Sequence, residues 1–230
     1  ARARNNLAVA LYRAEEYEYY LAIWSTTEEQ TGRLEELVKR APGYVDAWVS
    51  LGNVRAKTDP DSAMSDYAKA IEIHPHCAIA YIQRGVAHSA KGEYDAAIAD
   101  YTRAIEIHPR FAKAHLNRGN ARQAKRDLRA AIEDYTRAVE ITPKYAIAYC
   151  NRGTARRDMG DPRGAIDDLT KAIEVDPEFE DPYVNRGTVL MASGELDSAI
   201  QDYTQALVIN LRCADAYFNR GLARKSKGDL

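Results

Sequence analysis

Small, ringed and apolar residues return along this chain at fixed long intervals, with charged and polar residues between them. A ring stands at Trp48, Tyr81, Tyr149, Tyr183 and Tyr217, and His115 takes that place once. Four residues after each comes a glycine: Gly52, Gly85, Gly119, Gly153, Gly187 and Gly221. The first step between these glycines is 33 residues and the next four are 34. Alanine precedes the ring at Ala47, Ala80, Ala114, Ala148 and Ala216, with Pro182 in the fifth unit. Twelve residues after the later glycines lie Ala97, Ala131, Ala165 and Ala199, and sixteen after lie Tyr101, Tyr135, Leu169 and Tyr203. Pro75, Pro109, Pro143 and Pro177 close successive units, with Leu211 in the fifth. Self-similarity at this period is the mark of a helical solenoid.

The spacing predicts two packed helices per unit. Glycine and alanine let helix backbones approach, while the rings and leucine fill the wider gaps. Asp59-Pro60, Asp161-Pro162 and Asp181-Pro182 each read as an Asp cap followed by proline in the first turn. Gly92, Gly160, Gly194 and Gly228 suit left-handed helix ends. In the third unit this gives a helix over 112–125, a turn, and a helix over 127–140. The units are expected at 45–77, 78–111, 112–145, 146–179 and 180–213, with 214–230 the first helix of a sixth. The first unit is one residue short, and the deletion is expected in its inner turn near Thr58-Asp59-Pro60. Residues 1–44 fit the pattern poorly and are read as a helical pair, roughly 3–24 and 27–40, forming a divergent repeat or cap. Because Leu230 falls where a second helix should begin, the natural chain is expected to continue.

These residues resemble the tetratricopeptide repeat family over about residues 45–230. Within it they resemble the subgroup written Asn-Arg-Gly…Ala-Ile-x-Asp-Tyr, as in Asn117-Arg118-Gly119 and Ala131-Ile132-Glu133-Asp134-Tyr135. The resemblance implies an all-α, right-handed solenoid of antiparallel helix-turn-helix repeats whose first helices line a concave groove. It also implies a binding function and no chemistry of the chain's own.

Composition removes other classes. Apolar residues make up 46% of the chain, which excludes disorder, and the net charge of −2 gives no field to recruit nucleic acid or an anionic membrane. No apolar run approaches the ~18 residues of a membrane span. Cys77, Cys150 and Cys213 form no disulfide framework and no CxxC, and no glycosylation sequon occurs; cytoplasm is the favoured home. His74-Pro75-His76-Cys77 has metal-ligand residue types, but His74 aligns with His108, where a cation complements a helix end. No metal, cofactor or enzyme activity is therefore expected. His88 and His115 read as packing variants, and Cys150 occupies an aliphatic slot. The arginines before the glycines, Arg84, Arg118, Arg152 and Arg186, each meet an acid sixteen residues on: Asp100, Asp134, Asp168 and Asp202. Such recurrence predicts partly buried pairs that hold each hairpin or join neighbours, and it argues against a basic RNA track.

The candidate binding residues lie on the first helices. Tetratricopeptide domains that clamp a carboxylate carry a base three residues before the glycine. Here that slot holds Val49, Ile82, Leu116, Cys150, Val184 and Phe218, although Asn53 and Asn120 fill the other clamp slot. Two residues before the glycine stand Gln83, Asn117, Asn151, Asn185 and Asn219. That row resembles the asparagine ladder in the helical arm of O-linked N-acetylglucosamine transferases, which holds extended polypeptide; the competing reading is that these amides bond locally. Ile79, Ile82, Leu116, Ile147, Val184 and Phe218 would add apolar surface beside the row. The expected function is a scaffold for a protein or peptide ligand. A substrate-selecting arm of a larger enzyme, such as a glycosyltransferase, and a homo-oligomerisation module are the alternatives. In the sixth unit Tyr217, Phe218 and Leu222 lack a covering helix, so self-association through that end is expected.

Overall fold

A computed structural model describes residues 27–229 of the chain; the expected helix over 3–24 lies outside them. Among the described residues there are twelve α-helices and no strand. Helix α1 (Thr27–Arg40) precedes five hairpins: α2 (Val45–Arg55) with α3 (Pro60–Ile73), α4 (Ala78–Ala90) with α5 (Tyr94–Ile107), α6 (Ala112–Ala124) with α7 (Leu128–Ile141), α8 (Ala146–Asp158) with α9 (Pro162–Val175), and α10 (Glu180–Ala192) with α11 (Leu196–Ile209). Helix α12 (Ala214–Lys227) follows. The helices fall into two compact units, one ending at Pro109 and one beginning at Arg110. The fold class is an all-α helical repeat solenoid.

Each hairpin is closed by a glycine socket. A methyl group built on Gly52, Gly85, Gly119 or Gly187 would come within 2.5–2.8 Å of Cε1 of Tyr67, Tyr101, Tyr135 or Tyr203. On Gly153 it would come within 2.9 Å of Leu169 Cγ. Those four rings and Leu169 are buried to 2% exposure or less, so within each hairpin the offset from glycine to ring is enforced by backbone touching side chain. Alanines at 63, 97, 131, 165 and 199 are fully buried on the second helices and let the two backbones close. In the first unit Leu34, Leu37 and Val38 of α1, with Ala41 just after it, pack against Ala47 and Leu51 of α2.

Local signals set the helix ends. Asp59, Asp127 and Asp161 cap α3, α7 and α9 by accepting hydrogen bonds from the amides of Ser62, Ala130 and Gly164. Asp181-Pro182 does not do this. Helix α10 starts two residues earlier, at Glu180 after Phe179, so Asp181 and Pro182 sit inside its first turn. The repeat register overrode the Asp-Pro signal, and proline is tolerated there because first-turn amides have no helical acceptor. Gly92, Gly160 and Gly194 are left-handed with φ of 77°, 83° and 83°, and in the third hairpin Arg126 does the same work at 64°. Helix α2 has 11 residues where the other first helices of the hairpins have 13, and its turn contains no left-handed residue.

Within each unit, first helices touch one another: α2 with α4, α6 with α8, α8 with α10, and α10 with α12. Second helices pack on first helices instead. The first helices therefore form the inner row of each unit. No described helix is long and apolar enough to cross a membrane.

Candidate functional site

The charges between the two helices of each hairpin are structural. Arg84, Arg152 and Arg186 each grip both oxygens of Asp100, Asp168 and Asp202 at 2.6–2.9 Å, and Arg118 grips Asp134 at 2.7–3.2 Å. The carboxylates are buried, with Asp134 at 2% exposure. The same arginines join repeats, since Arg152 and Arg186 also donate to Thr136 and Thr170 of the preceding hairpin. Asp66, whose hairpin has Leu51 in the arginine slot, is served by Arg55, which also binds Glu35 of α1. Arg122 and Arg156, in the same slot as Arg55, add a second guanidinium to Asp134 and Asp168 at 2.8 Å.

These environments shift the acids in opposite directions. Burial pushes Asp134 upward, but His115, whose Nδ1 lies 3.6 Å from Oδ1, and the bonds and charges of Arg118 and Arg122 more than offset it, leaving the group below its usual range. Burial also dominates at Asp66, where Arg55 compensates only in part and Glu35 and Asp59 add repulsion, so its pKa is raised. Arg84 is raised, first by its bond to Asp100.

The amide row is partly occupied by bonds between repeats. Gln83 donates through Nε2 to Asn53 Oδ1 at 2.7 Å, and the Tyr67 hydroxyl donates to the same oxygen at 2.9 Å. In the second unit Asn151 donates to Asn120 Oδ1 at 2.8 Å, again beside a tyrosine hydroxyl, that of Tyr135. Asn185 points its Nδ2 at Cys150 Sγ, 3.5 Å away. Asn117 Nδ2 is buried with no hydrogen-bond partner among the described residues. Gln83, Asn117, Asn151, Asn185 and Asn219 are all half-buried, while Asn53 and Asn120 are exposed.

The apolar candidates divide. Ile79, Ile147 and Phe218 are exposed at 54%, 48% and 68%, and Val184 is half-buried. Ile82 and Leu116 are buried at 3% and 6%, which corrects the expectation that they offer surface to a ligand. Their slot faces the next helix layer: Val49, in the same slot, packs with Ala70 and Ala80, and Leu116 with Ala138 and Ala148. Cys150 shares that slot, and burial pushes its thiol up to about 12, which makes it inert.

One cleft of about 380 Å³ opens in the first unit between α2, the start of α3, and α4. Asn53, Tyr67 and Gln83 lie along it, with Ala56, Pro60, Val86, Ala87 and Ala90 as walls and Lys57 and Lys91 also lining it. Among the described residues no cluster of three or more His, Cys, Asp and Glu could hold a metal. The cations at Arg55, Arg122 and Arg156 and the tyrosine hydroxyls escaped the sequence reading. Their signal was an arginine three residues after the glycine, interrupted by His88 and Leu190.

A family model described as TPR repeat matches residues 89–126, 124–160 and 187–228. A second, described as Tetratricopeptide repeat, matches residues 146–179. No curated protein matches the chain in sequence. Among solved structures, the APC/C hetero-tetramer Cut9-Hcn1 superposes with TM-score 0.73 at 19% identity over 86% of this chain. The match spans only 39% of that chain. MamA superposes with TM-score 0.65 at 26% identity, over 71% of this chain and 96% of its own. YrrB, described as a TPR protein with an unusual peptide-binding site, gives TM-score 0.66 at 18% identity over 82% and 97%.

Proposed function

This chain belongs to the tetratricopeptide repeat family, and from that premise we propose that it is a scaffold holding an extended peptide or protein segment along its row of first helices. The observation that carries the reading is that row itself. Within each unit first helices stand side by side, presenting half-buried amides and the exposed apolar groups Ile79, Ile147 and Phe218. The likeness of fold to YrrB, whose description includes a peptide-binding site, supports it.

Adjacent helices stand about 8–10 Å apart, and an extended chain advances ~3.3–3.6 Å per residue. Successive amides therefore meet a ligand at about every third residue. Where Gln83 and Asn151 spend one N–H on the preceding repeat, each keeps a second N–H and a carbonyl oxygen for the ligand backbone. Each such bond nets about 0.5–1.5 kcal/mol, so micromolar affinity is the natural range once association costs of several kcal/mol are met.

The test replaces Asn117, Asn151, Asn185 and Asn219 with alanine. Asn151→Ala gives up one inter-repeat bond, whereas Asn117→Ala removes a buried N–H without an acceptor, so the fold should survive. Proteins captured by the natural chain should be recovered several-fold less by the variant at unchanged circular dichroism. Undiminished recovery would place binding on the outer helices or the loops and end the reading.

Self-association is a second reading with its own observation. Helix α12 exposes Tyr217, Phe218 and Leu222 at 48%, 68% and 40%, and Gly221 alone of the socket glycines has nothing within 4 Å. Light scattering should show a concentration-dependent dimer that Phe218→Glu abolishes; a monomer at all concentrations would dismiss it.

A further inference from the structure

We infer that the cleft between α2 and α4 is an anchor pocket for a bulky apolar side chain flanked by a carboxylate, on the peptide segment of a partner protein. The inference rests on the scaffold reading and names the ligand chemistry at one end of the row.

The central acceptor of the cleft is already saturated. Asn53 Oδ1 receives both the Tyr67 hydroxyl and Gln83 Nε2, so both of its lone pairs are filled. Gln83 keeps a second N–H and its carbonyl oxygen for the ligand's main chain, and the walls left to the entering side chain, apart from Lys57 and Lys91, are Ala56, Pro60, Val86, Ala87 and Ala90. Val86 is 42% exposed, an apolar group left facing solvent on the side where an insert would cover it. At about 380 Å³ the cleft lies at the small end of ligand pockets, suited to one large side chain rather than a folded surface.

The charge at the cleft gives the flanking group. The nearby acids are engaged: Asp59 caps α3, Asp61 holds Lys91 at 2.6 Å, and Glu93 holds His88 at 2.6 Å. Arg55 is taken by Asp66 and Glu35. Lys57 has no ion-pair or hydrogen-bond partner among the described residues, and it lines the cleft. An apolar anchor next to a carboxylate fills the walls and neutralises Lys57 at once.

The probes are blocked tetrapeptides, acetyl-Gly-Glu-Leu-Gly-amide with Lys-Leu and Glu-Ala counterparts, titrated into the isotope-labelled 230-residue chain and followed by NMR. The Glu-Leu peptide should shift the amides of Lys57, Val86 and Ala90, and the Glu-Ala peptide should not. Lys57→Glu should reverse the preference between Glu-Leu and Lys-Leu by roughly three- to tenfold, the scale of an exposed pair reversed. Val86→Glu, on an exposed position, should abolish both. An unreversed preference in Lys57→Glu, shifts confined to the second unit, or no shift at about ten millimolar peptide each overturns the inference. None of these touches the scaffold reading, which the four-asparagine variant judges separately.

Discussion

The hairpins are held by buried ion pairs, and Asp168 is the sharpest place to perturb one. Its side chain is 4% exposed and takes bonds at 2.6 and 2.9 Å from Arg152 and 2.8 Å from Arg156. Unit charges about 4 Å apart at an effective dielectric near 20 attract by ~4 kcal/mol, and desolvation cancels much of that in the intact pair. Asp168→Asn is close in volume but leaves two guanidiniums, one of them only 12% exposed, without a counter-charge. Breaking a buried pair from one side costs about 3–5 kcal/mol. Arg152→Leu should cost less, about 2 kcal/mol, because Arg156 still serves Asp168 and the chief further loss is the bond to Thr136. The double variant should cost clearly less than the sum, since the buried guanidinium that Asp168→Asn strands is gone. Repeat arrays open locally, so urea unfolding should be paired with native-state hydrogen exchange on α8 and α9. If Asp168→Asn lowers stability by under about 1 kcal/mol, or costs no more than Arg152→Leu, the pairs are not what holds the hairpins.

Gly119→Ala should destabilise by about 1–3 kcal/mol, because its methyl would meet the fully buried Tyr135 ring at 2.6 Å. Gly221→Ala, with nothing within 4 Å, should stabilise by up to ~1 kcal/mol in the same melting assay, and equal effects at both sites would refute the socket account. Arg126→Gly should raise stability by roughly 1 kcal/mol by relieving a left-handed residue at φ 64°; a loss would mean the arginine side chain contributes there. Acid should loosen the hairpins unequally. Asp134 has a depressed pKa, so its contribution is present above about pH 4 and is lost as pH falls through the folded value. Asp66 is raised, so its contribution is greatest below its unfolded pKa and protonation there does not destabilise. Hydrogen exchange below pH ~4 should therefore accelerate in α6 and α7 before α2 and α3; the reverse order would contradict these shifts.

What could be seen in the sequence followed from contacts made the same way in every unit. The glycine-to-tyrosine spacing is visible because one backbone-to-ring contact recurs, and the Arg–Asp pairs are visible because both partners recur sixteen residues apart. Contacts made differently from unit to unit stayed hidden. The second guanidinium is Arg55, Arg122 and Arg156 but becomes His88 and Leu190 elsewhere, so no simple period marks it. Arg126 carries a left-handed turn that other hairpins give to glycine; it stands 34 residues after Gly92 and 34 before Gly160, but its residue type hides the turn. Asp181-Pro182 carries a short capping signal that the register fixed by packing overrides. Ile82 and Leu116 share a helical slot with the exposed Phe218, and what separates them is a covering neighbour, which a helical wheel cannot supply.

That contrast bears on where binding specificity resides. A residue repeated in every unit is selected first by what every unit needs, and the amides of Gln83 and Asn151 show this by stitching one repeat to the one before. Such groups can grip any main chain, because every ligand residue offers the same N–H and carbonyl. Discrimination between ligands has to come from positions where the units differ. Six residues before the glycine the chain places Asp46, Ile79, Lys113, Ile147, Asp181 and Asp215, a run of unlike charges and apolar groups. Asp181 is exposed, and its partial desolvation together with repulsion from Glu180 and Asp215 raises its pKa, so this end of the second unit favours a cation. The first unit carries the unpaired Lys57 in its cleft instead. Exchanging charge at Lys57 or Asp181 should therefore change which peptides bind, whereas changing the repeated amides should weaken all of them alike.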